Sequence, residues 1–115
     1  MKFTRFEDIL AWQKAKVLAI IIYQLLRESK DFSYRDQIQR AIVSVMNNIA
    51  EGYERKSNKE FERFLYIAKG SVGEVRSMIS LGIELMYFQK DEFDELDNSA
   101  IEISKMLSGL IKSIR

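Results

Sequence analysis

Apolar side chains recur at three- and four-residue steps along almost the whole chain, and proline is absent, so the pattern predicts helices joined by short loops rather than strands. Four start signals divide it. Thr4-x-x-Glu7 and Ser57-x-x-Glu60 match the capping box, in which the hydroxyl accepts from a backbone N–H and the carboxylate reaches back. Ser33-x-x-Asp36 and Asp91-x-x-Asp94 are weaker versions, with carboxylates where the positive end of a helix dipole favours them. The expected helices cover approximately 5–29, 34–55, 58–89 and 92–114.

Each helix has a core stripe. The first offers Phe6, Ile9, Leu10, Val17, Ile21 and Leu25, and the second Ile38, Ala41, Ile42, Val45, Ile49 and Tyr53. The third offers Phe61, Phe64, Leu65, Ala68, Val72, Val75, Ile79 and Met86, and the fourth Phe93, Leu96, Ala100, Ile103, Leu107, Leu110 and Ile114. Amphipathic helices with such short connections pack antiparallel to their sequence neighbours, which predicts a single all-α domain over residues 1–115, an up-down-up-down four-helix bundle.

Two surfaces exceed what such a bundle needs. Between Val17 and Leu26 the first helix is apolar around almost its whole circumference, with Ala19, Ile20, Ile22 and Tyr23 outside or at the edge of the stripe. Either a broad core overhangs there, or a subunit interface covers it. Opposite the stripe of the third helix, Gly70, Gly73, Ser77 and Ser80 form a row of small residues, with Tyr66 and Glu84 at its ends. Each glycine costs a helix interior about 1 kcal/mol relative to alanine, which close approach of another backbone would offset. The bland alternative is a solvated face; together the two surfaces are read as a hypothesis of homo-oligomerisation.

Composition narrows the chemistry. With 115 residues and 47% hydrophobic, the chain matches one domain with a sizeable core. It contains no cysteine and no histidine, which removes disulfides, thiolate nucleophiles, Ser-His-Asp machinery and nearly every zinc, iron or copper site. No cofactor or metal is expected. The start, MKFTRFEDILAWQ, carries Glu7 and Asp8 and lacks a small-residue cleavage site, so it does not read as a signal peptide, and the expected location is cytoplasmic. VLAIIIYQLL is about half a membrane span, so no membrane partner is expected.

Net charge is +1, which argues against strong non-specific attraction to DNA or anionic lipid. A gradient lies beneath the sum: residues 1–30 carry six basic and three acidic groups, and residues 91–115 three basic and six acidic.

FEDILAWQKA near the start and QIQRAIVSVMNNIAEGYERKSNKEFERFLYIAKGSVGEV across the middle resemble the four-helix-bundle family encoded in intervening sequences of bacterial 23S ribosomal RNA genes, known as S23-like. The resemblance extends over nearly the whole chain. It implies a left-handed up-down bundle assembling as a ring-like homopentamer, the fold of the accessory variability protein of diversity-generating retroelements. That relative works with a reverse transcriptase and with nucleic acid through a basic surface of its ring.

Within the shared motif, Asn48 lies at the edge of the core, where its amide needs a backbone or cross-helix partner. Gly52 permits close packing or a left-handed cap, and Lys56, Ser57 and Asn58 turn the corner into the helix begun by Ser57 and Glu60. Glu51 and Glu54 are paired carboxylates, yet no candidate nucleophile accompanies them.

Nucleic-acid binding is the first functional reading. Arg55, Lys56, Lys59 and Arg63 gather near one corner, with Tyr53 and Tyr66 available for stacking, and fivefold repetition would multiply a weak patch. Four positive and four negative charges in the window 51–63 keep an ion-paired solvated face open as the alternative. Arg40, Lys14 and Lys16 are further candidates. The second reading is an oligomeric adaptor that docks a protein partner. An enzyme is the last: the Glu-x-x-His pattern of di-iron bundles does not occur, and DEFDELDNSAIE lacks the glycine and spacing of a calcium loop.

Overall fold

The computed structural model describes residues 3–115. Four helices make up the bundle: α1 (Leu10–Leu25), α2 (Phe32–Glu54), α3 (Asn58–Glu84) and α4 (Lys90–Ile114). A 3-10 turn at Phe6–Asp8 precedes them, and no strand occurs among the described residues.

Local hydrogen bonding moves several boundaries away from the sequence expectation. The backbone N–H and hydroxyl of Thr4 both donate to Asp8, at 3.1 and 2.9 Å, so the partner is Asp8 rather than Glu7. What they close is the 3-10 turn; extended Ile9 (φ −77°, ψ 118°) then separates it from α1, which starts at Leu10 rather than near residue 5. Asp31, not Ser33, caps α2, its carboxylate accepting from the Tyr34 N–H at 3.1 Å. Ser57 caps α3 as expected, accepting from Glu60 N–H at 3.3 Å, while the Glu60 carboxylate turns to Arg63. At α4 the Gln89 N–H donates to Glu92 at 2.8 Å, starting the helix ahead of Asp91.

α3 stops at Glu84, short of the expected 89, because Met86 adopts a left-handed conformation (φ 65°). The Met86 N–H then reaches the Ile83 carbonyl at 3.1 Å and the Tyr87 N–H the Gly82 carbonyl at 2.9 Å, satisfying two carbonyls of the last turn. Lys56 (φ 58°) ends α2 in a similar way, its N–H donating to the Tyr53 carbonyl at 3.3 Å.

α2 packs on α3, α3 on α4, and α1 on both α2 and α4, which leaves α1 and α3 diagonal to one another. Gln37 with Glu74 (2.8 Å) and Ser44 with Ser71 (2.9 Å) pair rising numbers with falling ones, so α2 and α3 are antiparallel. Arg76 with Asp97 (3.2 Å) and Asn58 with the Ile114 carbonyl (3.3 Å) show the same for α3 and α4.

The stripes of α2, α3 and α4 lie in the core, with Tyr53, Phe93 and Leu110 half-buried at its margin. Met86 is an exception, 88% exposed beyond the helix that was expected to bury it. α1 is turned from its expected phase: it buries Ala11, Ala15, Leu18, Ala19 and Ile22, while Leu10 and Val17 are exposed and Ile21 and Leu25 half-buried. The extended residue at Ile9 breaks the register that linked Phe6 and Ile9 to the rest. Ala11, Ala15 and Ala19, spaced four apart, then form a low ridge on the buried side.

Candidate functional site

The corner between α2 and α3 is built by packing at a glycine. A Cβ on Gly52 would meet the Phe64 Cβ at 2.6 Å, so the missing side chain admits α3 at close range. Gly52 therefore serves close packing, and the left-handed cap falls on Lys56 instead. Asn48 takes its partners within α2, its amide donating to the Ser44 carbonyl at 2.8 Å and the Ser44 hydroxyl at 3.0 Å.

The four basic candidates of this corner divide into two pairs. Arg55 bonds Glu51 at 2.8 Å and Arg63 bonds Glu60 at 3.3 Å, and both guanidiniums stand over the Phe64 ring, 5.1 and 4.6 Å from its centre. The Arg63 guanidinium holds the Glu60 carboxyl below its ordinary value. Lys56 and Lys59 are exposed and have no ion pair among the described residues. Sequence reading missed two contributors. Phe64 was assigned only to the core, and Arg115 closes the corner from α4, donating to Glu62 at 3.0 Å and to the Tyr66 hydroxyl at 2.8 Å. No spacing in the sequence connects residue 115 to residue 62; only the antiparallel packing does.

The remaining basic candidates lie elsewhere. Lys14 bridges to Glu102 of α4 at 2.9 Å, whereas Lys16 stands 5.5 Å from the Trp12 ring and borders α2. Arg40 is exposed on α2. The seven candidates thus form one corner and outlying charges rather than a single patch.

Ile20 and Tyr23 are exposed at 47% and 44%, and with Ala19, Val43 and Met46 they line an apolar groove of about 280 Å³ between α1 and α2. Lys16 and Arg27 are the charged residues along it. Ile22, expected at this face, is fully buried in the core; with apolar residues all round α1, hydrophobicity alone does not set the phase. On α3, Gly70, Gly73, Ser77 and Ser80 are exposed, and Cβ atoms on the two glycines would have open space. Tyr66 keeps 48% of its surface exposed while its hydroxyl accepts from Arg115.

No group of three His, Cys, Asp or Glu among the described residues is placed to hold a metal ion, and no helix is long and apolar enough to cross a membrane.

The sequence pattern of the family described as 23S rRNA-intervening sequence protein matches residues 7–109. The chain belongs to that family. A solved structure of a protein of unknown function from the S23 ribosomal protein family of Bacteroides thetaiotaomicron is similar at a TM-score of 0.83 and 29% identity. The match covers 90% of this chain and 99% of that one, so the two share the fold over nearly their whole length. Among curated proteins none matches the chain.

Proposed function

We propose that this family member is a non-catalytic, cytoplasmic bundle that assembles with copies of itself and binds nucleic acid, RNA first, through the α2–α3 corner repeated in the assembly. The observation that carries the reading is the division of charge at that corner. Glu51, Glu60 and Glu62 are each engaged by an arginine, while Lys56 and Lys59 remain unpaired among the described residues and reach solvent. Phosphate contact needs only cations with reach, and one corner is weak because Arg55, Lys56, Lys59, Arg63 and Arg115 face Glu51, Glu54, Glu60 and Glu62, a sum of +1. Repetition in one particle multiplies that weak affinity. The family description refers to 23S rRNA intervening sequences, the place of its genes, so the choice of RNA first rests on the corner's charge and on the family resemblance.

Assembly is supported by two unlike outward faces. Since α1 and α3 are diagonal, the apolar groove beside α1 and the small-residue row of α3 look away from each other. Contact between unlike faces closes a ring or continues as a filament. The homopentamer implied by the family resemblance is the closed case. The same groove favours a second reading, an adaptor that docks a partner protein.

Light scattering with fluorescence anisotropy tests the reading. A particle of several subunits that binds an RNA hairpin more weakly as salt rises, and more weakly again in Lys56→Glu with Lys59→Glu, is the expected result. A monomer, or an oligomer with no affinity for structured RNA, unstructured RNA or duplex DNA at low salt, overturns it; the second outcome leaves the adaptor.

A further inference from the structure

At the α2–α3 corner lies a pocket of about 410 Å³ whose lining combines aromatic rings with hydrogen-bonding groups of both senses. Its volume lies within the range of small-molecule sites. Phe3, Tyr53 and Phe61 supply the apolar part. Tyr53 meets Phe3 edge-on at 6.5 Å and Phe61 at 5.9 Å, and its hydroxyl donates to the Phe3 carbonyl at 2.8 Å, which fixes the wall.

Of the polar lining, Thr4 donates to Asp8 and Asn58 to the Ile114 carbonyl, and three groups are left. Glu54 has no cationic partner among the described residues, Lys56 has no acidic one, and Ser57 accepts from the Glu60 N–H with its own hydroxyl hydrogen left to donate. A carboxylate, an ammonium and a hydroxyl beside aromatic rings suit a flat, conjugated ligand that carries N–H donors along one part of its edge and acceptors along another. Nucleobases have that character, and guanine presents two parallel N–H donors, at N1 and N2, that match the two oxygens of a carboxylate. Its O6 and N7 are acceptors.

Lys56 is also held left-handed, at φ 58°, as the cap that ends α2, a conformation uncommon for a residue with a Cβ. Lys59 stands exposed on the adjoining first turn of α3.

We propose that this pocket seats the base of a guanine nucleotide, with Glu54 accepting from N1–H and N2–H, Lys56 and Ser57 donating to O6 and N7, and the phosphate lying toward Lys59. The assignment deepens, and rests on, the reading of the corner as a nucleic-acid interface.

The test is calorimetric titration of the assembled protein with GMP, AMP, CMP, UMP and inorganic phosphate, beside anisotropy with uridine oligonucleotides that do or do not end in one guanosine. GMP should bind at least tenfold more tightly than AMP or phosphate. Glu54→Gln should erase that preference without weakening phosphate binding. Lys56→Gly, which relieves the left-handed backbone, should raise the melting temperature while weakening GMP, a combination that lost folding does not produce.

A guanosine-ended strand binding more tightly than the all-uridine strand supports both the pocket and the corner reading. GMP binding with no RNA affinity supports the pocket and overturns the corner reading. RNA binding indifferent to the guanosine and to Glu54→Gln, or GMP no tighter than phosphate, overturns the pocket.

Discussion

The Tyr87 hydroxyl donates to the carboxylate of Asp31, and the same carboxylate caps α2 by accepting from the Tyr34 N–H. Tyr34 in turn stacks edge-on against Tyr87 at 4.9 Å and donates its hydroxyl to the Met78 carbonyl at 2.6 Å. One carboxylate therefore ties the α3–α4 connection to the start of α2.

This tie should be sensitive to acid. The Tyr87 hydroxyl, and then the Tyr34 N–H, hold the Asp31 carboxyl below its ordinary value. A depressed folded-state value means that its contribution is present above about pH 4, the unfolded range, and is lost as pH falls through the folded-state value. Melting followed by circular dichroism from pH 6 to pH 3 should show a smaller loss in Tyr87→Phe than in the parent. Asp31→Ala should lower the melting temperature by several degrees at neutral pH.

Glycines of one chain should respond oppositely to alanine. At Gly52 the new Cβ meets Phe64 at 2.6 Å, and at Gly82 it meets Phe88 at 2.5 Å, so each substitution overpacks the bundle at a cost of about 1–3 kcal/mol. Gly70→Ala and Gly73→Ala meet nothing within 4 Å and should stabilise the isolated bundle by about 1 kcal/mol each. Urea denaturation separates the two groups, and light scattering on the second shows whether the added methyls hinder assembly.

Neighbouring isoleucines should also part company. Ile22→Ala removes a fully buried side chain and should cost about 2–5 kcal/mol. Ile20 is 47% exposed, so Ile20→Ser should change the stability of the single bundle little and reduce the particle mass seen by light scattering.

Met86 is left-handed and 88% exposed, so its side chain does little to offset the backbone cost. Met86→Gly should stabilise the protein by about 1 kcal/mol, read as a higher urea midpoint at unchanged slope.

The fold was legible where amphipathicity had a single phase. α2 through Ile38–Ile49 and α4 through Leu96–Leu107 each show one stripe, and those residues are buried. α1 gave no such reference, since isoleucine occupies adjacent positions 20, 21 and 22 and only packing selects Ile22. Helix starts were misplaced where several capping residues stand together, as with Asp31 before Ser33. At the corner, Arg55 through Arg63 lie close in sequence, so their grouping was visible. The sharing of Phe64 by two guanidiniums and the arrival of Arg115 depend on geometry across helices.

The order in which the helices touch has a kinetic side. α1–α2, α2–α3 and α3–α4 are contacts between successive helices, and among the four helices only α4 and α1 pack together without being neighbours in the chain. Loops this short make the successive hairpins cheap to close, which places the bundle among fast-folding topologies. During synthesis α2 and α3 can pair before Lys90 has left the ribosome, and α1 gains its second neighbour only when α4 arrives. With no proline in the chain, that final docking waits on no prolyl isomerisation.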